Sequence, residues 1–373
     1  MTGAWRCLLL GSTASLALAT AVPLSARAAE VLPGGALDIT LSGFVRFLST
    51  YGAWDDTQLD PGLSSGLDFE NDTEVHVLVR GKHDATGVEY GGRIELEADT
   101  NASNNTDETW IFLRGGFGEF RLGDEDGIAD EDGMAVSAAS VAAGTGGLDG
   151  TQVDTYVTRA FEPFGTSDAT KAIYRSPSFG GFRFGASYTP NLSTIDNGSG
   201  NGDSLASKDV QAGDIVEGGV GYEGDIGGMA TEIALTGLYG DVKDEATFGD
   251  DDYWAGQIGA SLDFGAFSLA GSFLKEKIGE AEQDAYTLGA AYEIGLLSMS
   301  INYAESFNTE QRPTADFEFD NPRNIVVSAT FALMPGLTLD GDVAFIDNDI
   351  TGGPAEVDDD EGVVGVLQLG LAF

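Results

Sequence analysis

The last twelve residues of the chain read GVVGVLQLGLAF (residues 362–373). Large apolar side chains stand at alternate positions such as Leu367, Leu369 and Leu371, and small or polar residues such as Gln368 and Gly370 stand between them. Successive side chains of a β-strand point to opposite faces. The pattern therefore predicts a strand with one apolar face and one small or polar face.

The same alternation recurs from residue 37 to the end of the chain, and it predicts about sixteen strands. We place them near residues 37–50, 73–84, 87–98, 107–115, 118–123, 170–176, 181–189, 213–222, 228–239, 252–264, 266–275, 284–294, 296–306, 323–333, 336–346 and 362–373. No change of composition or linker separates domains, so the sequence predicts one all-β domain.

The connections between these strands differ in length at the two ends of the predicted sheet. Several are turns of two or three residues, as at Phe264-Gly265-Ala266 and Pro335-Gly336, whereas others, such as 55–72 and 190–211, are long and polar. Short turns at one end and long loops at the other are typical of antiparallel barrels in outer membranes. Lipid outside and water inside would explain one apolar and one polar face on each strand. The sequence thus predicts a sixteen-stranded antiparallel transmembrane β-barrel; a soluble β-sandwich is the alternative.

The composition excludes several other classes of protein. The 373 residues include 61 acidic and 18 basic side chains, a net charge of −43, and this charge would repel nucleic acid. A single cysteine excludes a disulfide scaffold. A hydrophobic content of 42% with 10% aromatic residues is too high for a disordered chain.

The first 28 residues are predicted to be a cleaved secretory signal peptide. Arg6 precedes an apolar run, and Ala26-Arg27-Ala28 forms a site for cleavage before Ala29. Cleavage would remove two basic residues and the only cysteine, Cys7, leaving residues 29–373 as the barrel domain.

Four stretches of the sequence resemble the general, trimeric porins of Gram-negative bacteria. They are LDITLSGFVRF (37–47), WIFLRGGFGEFRLGDEDG (110–127), IYRSPSFGGFRFGASYTP (173–190) and the terminal strand that ends in Phe373. The resemblance implies a homotrimer in the bacterial outer membrane, in contact with lipid and lipopolysaccharide. It also implies that Phe373 is read by the outer-membrane assembly machinery.

In that family the third loop folds into the barrel and forms the constriction, and the matching segment here is about 123–169. Its acidic residues are Asp124, Glu125, Asp126, Asp130, Glu131 and Asp132. The resemblance also implies a basic cluster on the wall facing this loop. Strand alternation makes Arg46, Arg80, Arg93 and Arg121 inward candidates, with Lys82 beside them. Opposed charges would set up a transverse field across the pore.

Each of these assignments has a simpler alternative. The acidic segment could be a solvated loop, or a calcium site at Asp124, Asp126, Asp130 and Asp132, although the EF-hand spacing is absent. The arginines could instead pair with Glu89, Glu95 or Glu119. Neither histidine, His76 or His83, belongs to a recognisable catalytic arrangement, so no enzyme activity is predicted.

The predicted function is passive diffusion of small hydrophilic solutes and ions through a water-filled channel, without a required cofactor. The acidic excess predicts a weak cation preference. The alternatives are a substrate-specific outer-membrane channel and a soluble, calcium-binding secreted β-protein.

Overall fold

A computed structural model describes residues 29–30, 37–54, 66–98, 106–130, 134–145, 165–193, 210–250, 252–310, 318–351 and 360–373. The predicted signal peptide lies outside the described residues. No helix among the described residues is long and apolar enough to cross a membrane.

Sixteen long strands account for most of the described chain. They are β1 (Asp38–Trp54), β2 (Gly66–His83), β3 (Val88–Glu97), β4 (Thr109–Gly115), β5 (Gly118–Asp124), β6 (Thr170–Arg175), β7 (Phe182–Leu192), β8 (Ala212–Ile226), β9 (Met229–Val242), β10 (Asp252–Phe264), β11 (Phe267–Ile278), β12 (Ala281–Ile294), β13 (Leu297–Glu310), β14 (Glu318–Met334), β15 (Leu337–Thr351) and β16 (Asp360–Ala372). A two-residue strand, Ala29–Glu30, pairs with β1.

Each strand pairs antiparallel with its neighbours in sequence, and β16 pairs with β1 to close the barrel. The C-terminal residue takes part in this closure. The N–H of Phe373 donates to the carbonyl oxygen of Gly43 (3.0 Å), and the N–H of Gly43 donates to the carbonyl oxygen of Phe373 (3.1 Å). Closure leaves no long unpaired edge, as a sheet in lipid requires. The prediction of a sixteen-stranded antiparallel barrel is confirmed.

One end of the barrel carries short turns. Gly265 and Gly336 adopt φ of 72° and 75°, a conformation that glycine reaches without steric cost, within two-residue connections. The other end carries most of the long connections, including a four-residue helix, Glu245–Phe248, between β9 and β10. By analogy with outer-membrane barrels, the short-turn end is the periplasmic end.

Several strands extend farther toward the long-loop end than the alternation predicts. The second strand begins at Gly66 rather than near residue 73, and the fourteenth begins at Glu318 rather than near residue 323. In the added part of β2, Leu67 and Phe69 are exposed on the outer face and alternate with inward carboxylates such as Glu70. The alternation therefore continues, together with the hydrogen-bonded ladder, into a segment where the sequence predicts a long polar connection.

The outer surface is apolar, and the strands alternate between exposed and buried positions. On β9, for example, Ile233, Leu235 and Tyr239 are exposed, while Thr236 and Leu238 between them are buried. Aromatic pairs cluster near the short turns, including Phe264 with Phe267. An exposed apolar belt with aromatic residues is the surface expected to face lipid, and it is incompatible with the soluble alternative.

Candidate pore lining

The segment between β5 and β6, residues 125–169, is here called loop 3, and its described part (125–130, 134–145 and 165–169) lies inside the barrel along its wall. The N–H of Ile128 donates to the Ser187 hydroxyl on β7 (3.2 Å), and the N–H of Ala129 donates to the Glu217 carboxylate on β8 (3.3 Å). Ser187 and Glu217 are buried at inward positions of their strands. Two short 3₁₀ turns, Ile128–Asp130 and Ala138–Val141, shape the described part of the loop.

Farther along, four loop N–H groups reach acceptors on four consecutive strands. These are Ala138 to the Thr287 hydroxyl on β12 (2.9 Å), Ala143 to the Ser300 hydroxyl on β13 (2.8 Å), Gly144 to the Thr330 hydroxyl on β14 (2.8 Å) and Thr145 to the Asp342 carboxylate on β15 (3.0 Å). The loop therefore follows the inner wall, strand after strand, to β15. The wall left uncovered by its described part is formed by β16 and β1–β5.

The part of the loop that follows this wall carries no charge. Its sequence is MAVSAASVAAGT (residues 134–145), and its half-exposed residues, including Ala139 and Ser140, are small. The described acidic side chains of the predicted set, Asp124, Glu125 and Asp126, lie instead at the root of the loop. The side chain of Asp130, and all of Glu131 and Asp132, lie outside the described residues.

The predicted basic residues fall into two groups. Arg46, Arg93 and Arg121 lie half-buried at inward positions of β1, β3 and β5. Arg80 and Lys82 are exposed, close to the short turn that follows β2. The structure thus brings the first three onto one part of the inner wall and leaves the other two at the periplasmic end.

Carboxylates on the same wall pair with these basic side chains. Arg46 donates to Asp72 (2.9 Å). Arg93 forms an ion pair with the buried Glu95. Lys82 lies 3.3 Å from Glu89. Arg121 donates to Glu119 (2.6 Å). The simpler alternative, pairing along the wall, therefore describes four of the five predicted residues.

At the root of the loop, an acidic residue of the predicted set contacts basic residues of the inner wall. Glu125 pairs with Arg121 and lies 3.7 Å from Arg175 on β6. Asp124 accepts from the hydroxyl groups of Thr109 (3.4 Å) and Thr170 (2.5 Å). These contacts hold the two carboxylates against the wall.

Sequence reasoning missed four inward basic residues: Arg114, Lys171, Arg175 and Arg183. The alternation around Arg114 was ambiguous, but Ile111 and Leu113 are exposed, so Arg114 points inward, where it contacts Glu119 (3.2 Å). Among the described residues, every inward lysine or arginine lies on β1–β7, because Lys275, Lys277 and Arg323 occupy outward positions. The inner wall is therefore asymmetric in charge.

Aromatic rings lie beneath some of these guanidinium groups. The guanidinium carbon of Arg46 is 3.9 Å from the centre of the Phe44 ring, and that of Arg121 is 4.4 Å from the Trp110 ring. Both rings are buried. Such cation–π contacts hold the arginines flat against the wall.

Three described groups of side chains have donor atoms close enough to share a metal ion: Glu74, His76 and Glu95; Glu74, Glu97 and Asp107; and Glu108, Asp126 and Asp168. Of the predicted calcium set, Asp126 is in the third group. In the first group, Nδ1 of His76 faces the Arg93 guanidinium (3.2 Å) and Nε2 faces Glu74 (2.7 Å). An arginine donor at Nδ1 places the imidazole proton on Nε2, so His76 is arranged as a hydrogen-bond donor rather than a ligand.

Burial changes the ionisation of the carboxyl groups near the loop root. Burial, reinforced by the nearby Glu108, raises the pKa of Asp107 to about 6 and holds the pKa of Asp126 well above its usual range. Burial, reinforced by Asp107 and Glu108, raises the pKa of Asp168 to about 8. Asp168 therefore retains its proton near neutral pH, and the local negative charge is smaller than a count of carboxyl groups indicates.

A closed barrel of sixteen strands, apolar outside and polar inside, with a loop along its inner wall, has the architecture of an outer-membrane channel. The chain belongs to the Gram-negative porin family, whose model matches residues 13–351. Family and fold place the protein in the bacterial outer membrane as a channel rather than an enzyme.

Solved porins share this fold at low sequence identity. The chain is similar to an anion-selective porin from Comamonas acidovorans, with 19% identity, a TM-score of 0.61, and coverage of 90% of this chain and 100% of that one. It is similar to the outer membrane channel DcaP of Acinetobacter baumannii, with 14% identity, a TM-score of 0.62, and coverage of 91% and 98%. A mutant of the Rh. blastica porin shows 15% identity, a TM-score of 0.56, and coverage of 90% and 100%. No curated protein sequence matches the chain.

Proposed function

We propose that the protein is a general diffusion channel that admits small hydrophilic solutes and ions down their gradients. The observation that carries this proposal is the polar inner wall of a barrel of sixteen strands, which is wide enough to hold water. The described part of loop 3 covers the side of β7–β15 and leaves the side of β16 and β1–β5 to solutes.

Loop 3 forms the constriction of this channel. Asp124 at the end of β5 and the loop residues Glu125, Asp126, Asp130, Glu131 and Asp132 provide the acidic side. The basic wall consists of Arg46, Arg93 and Arg121 at the constriction, and of Arg80 and Lys82, which extend it toward the periplasmic end. The half-buried guanidinium groups of Arg46 and Arg93 support this role because they lie at inward positions beside the uncovered lumen. The resulting field orients water and disfavours apolar solutes.

The channel prefers cations weakly. The net charge of −43 supports this preference, but charges in outer loops act only within about 8–10 Å at moderate salt, so the preference is small. The reversal potential of the purified full-length protein in a planar bilayer under a salt gradient tests it. A reversal potential of the sign expected for a cation-selective channel supports the proposal, and one of the sign expected for an anion-selective channel contradicts it.

A substrate-specific channel would need a binding surface inside the pore. Among the described strand residues, the inward aromatic side chains Phe44, Trp110, Phe112 and Tyr253 are each less than 10% exposed, so none of them offers a ring for solutes to slide along. This burial favours the general channel. Block of the single-channel current by one class of solute, and not by others of similar size, would favour the specific channel instead.

The protein acts as a homotrimer that contacts outer-membrane lipid and lipopolysaccharide, and Phe373 is its signal to the assembly machinery. Calcium, where it binds, uses carboxylates at the root of loop 3, among them Asp126. Migration of the unheated, detergent-extracted protein as a trimer supports the assembly. Migration as a folded monomer contradicts it.

A further inference from the structure

Two buried charged side chains lie where loop 3 leaves and rejoins the barrel wall. The outgoing leg consists of residues 125–129 and the returning leg of residues 166–168; together they are called the neck. Lys171 on β6 and Glu217 on β8 point inward at the neck, with exposures of 4% and 1%. Neither residue was singled out by the sequence patterns.

Lys171 joins the two legs through their carbonyl oxygens. Its ammonium group donates to the carbonyl of Glu125 on the outgoing leg and to that of Ser167 on the returning leg. The carbonyl of Thr166 lies 3.5 Å away. A buried ammonium is tolerated only when its three donors find partners, so the lysine keeps both legs close to itself.

Glu217 joins the same two legs from the other side. One carboxylate oxygen accepts from the Thr166 hydroxyl on the returning leg (2.7 Å). The other accepts from the N–H of Ala129 on the outgoing leg (3.3 Å) and from the Ser187 hydroxyl on the wall (2.7 Å). A Cβ atom at Gly127 would overlap this carboxylate, so the outgoing leg passes directly over it.

We propose that Lys171 and Glu217 form a clasp that closes the neck and thereby holds the neutral segment 134–145 against the wall. The two are positioning residues, because they contact the loop backbone and its hydroxyl groups rather than the solute. Their effect on the current rests on the proposed function, in which loop 3 borders the conducting path.

The surroundings explain why these two residues can act as a pair. Asp126, Asp168 and Glu125 also lie near the ammonium of Lys171, but Glu217 interacts with it most strongly. Removing either member of the pair leaves the other charge buried and less well compensated, which loosens both legs together.

The test uses the full chain in detergent and in planar bilayers, with variants Lys171→Met, Glu217→Ala and Thr166→Val. Glu223→Ala is the matched control, because Glu223 lies on the same strand as Glu217 but is exposed and pairs with Arg183. Thr166→Val keeps the side-chain volume and removes one hydroxyl group. It is therefore expected to fold, and it still tests the clasp if the two charge variants do not fold. Heat-modifiable migration verifies the folded barrel in each case.

Hydrogen exchange of the backbone amides at Ala138, Ala143 and Gly144 gives the first readout. We expect exchange to become roughly tenfold faster in Lys171→Met and Glu217→Ala, and less so in Thr166→Val. The control should exchange like the parent protein. Unchanged exchange in all three folded variants overturns the clasp.

Single-channel current gives the second readout and separates the clasp from the proposed function. Faster exchange together with a larger, noisier open-channel current supports both the clasp and the role of loop 3 as the constriction. Faster exchange with unchanged conductance, noise and polymer exclusion supports the clasp and contradicts loop 3 as the constriction.

Discussion

The described segment 134–145 of loop 3 ends at Thr145, which binds the carboxylate of Asp342, and removal of that carboxylate should release Thr145 from the wall. Asp342 on β15 accepts from both the N–H (3.0 Å) and the hydroxyl (2.8 Å) of Thr145. Asp342 and Thr145 are buried. The substitution Asp342→Ala removes both bonds and leaves the Thr145 N–H without this acceptor.

The size of the effect follows from the two bonds. A hydrogen bond to a charged acceptor contributes about 1.5–3 kcal/mol to stability. Because water in the lumen can replace part of the loss, we take the lower value for each bond, about 3 kcal/mol in total. This change corresponds to roughly a hundredfold increase in local opening. The barrel itself should stay folded, because its ladder hydrogen bonds remain.

Hydrogen exchange at Thr145 measures this opening directly. The control is Asp340→Ala, since Asp340 is also a buried inward carboxylate of β15 but accepts from Thr338 (2.7 Å) and Gln368 (3.2 Å) rather than from the loop. Exchange at Thr145 should accelerate in Asp342→Ala and not in the control. Equal exchange rates at Thr145 in the two variants would show that Asp342 does not hold this residue against the wall.

Three further results are expected. Raising the pH from about 4 to about 8 should loosen the neck, because Asp168 holds a proton in the folded state that it would release when the neck opens. The readout is hydrogen exchange at Ala138, divided by the intrinsic exchange rate at each pH, and Asp168→Asn should flatten the pH dependence of this ratio. Arg93→Glu should move the reversal potential toward cations, and Lys82→Glu at the periplasmic end should move it less; equal shifts would exclude Arg93 from the constriction. Leu235→Arg on the outer face should destabilise the barrel by about 2–4 kcal/mol in urea unfolding from lipid vesicles, if Leu235 lies near the membrane midplane, and by more than Tyr239→Arg nearer the long-loop end.

Strand number and strand direction could be predicted from the sequence because lipid imposes a strict alternation on every crossing. The alternation is clear in the terminal strand, and glycines such as Gly265 mark the short turns between strands. Strand ends could not be predicted where the ladder continues into the long connections. The start of β2 has only two alternating apolar residues, Leu67 and Phe69, and the next three residues are all polar, so the pattern is too short to distinguish a strand from a polar loop.

The pore lining was only partly predictable. Inward arginines such as Arg46 and Arg93 follow from alternation alone. The path of loop 3 does not, because small neutral residues carry no directional signal and their backbone groups find partners such as Ser300 that are distant in sequence. Lys171 was missed for a related reason: a single lysine at the start of a six-residue strand gives no pattern.

Single-channel recording of the purified full-length protein tests whether the barrel is an open, water-filled channel. We expect stepwise openings whose conductance rises in proportion to bulk salt, with exclusion of polymers too large for a lumen narrowed by loop 3. A folded, heat-modifiable barrel that inserts into the bilayer and gives no conductance steps would contradict this expectation.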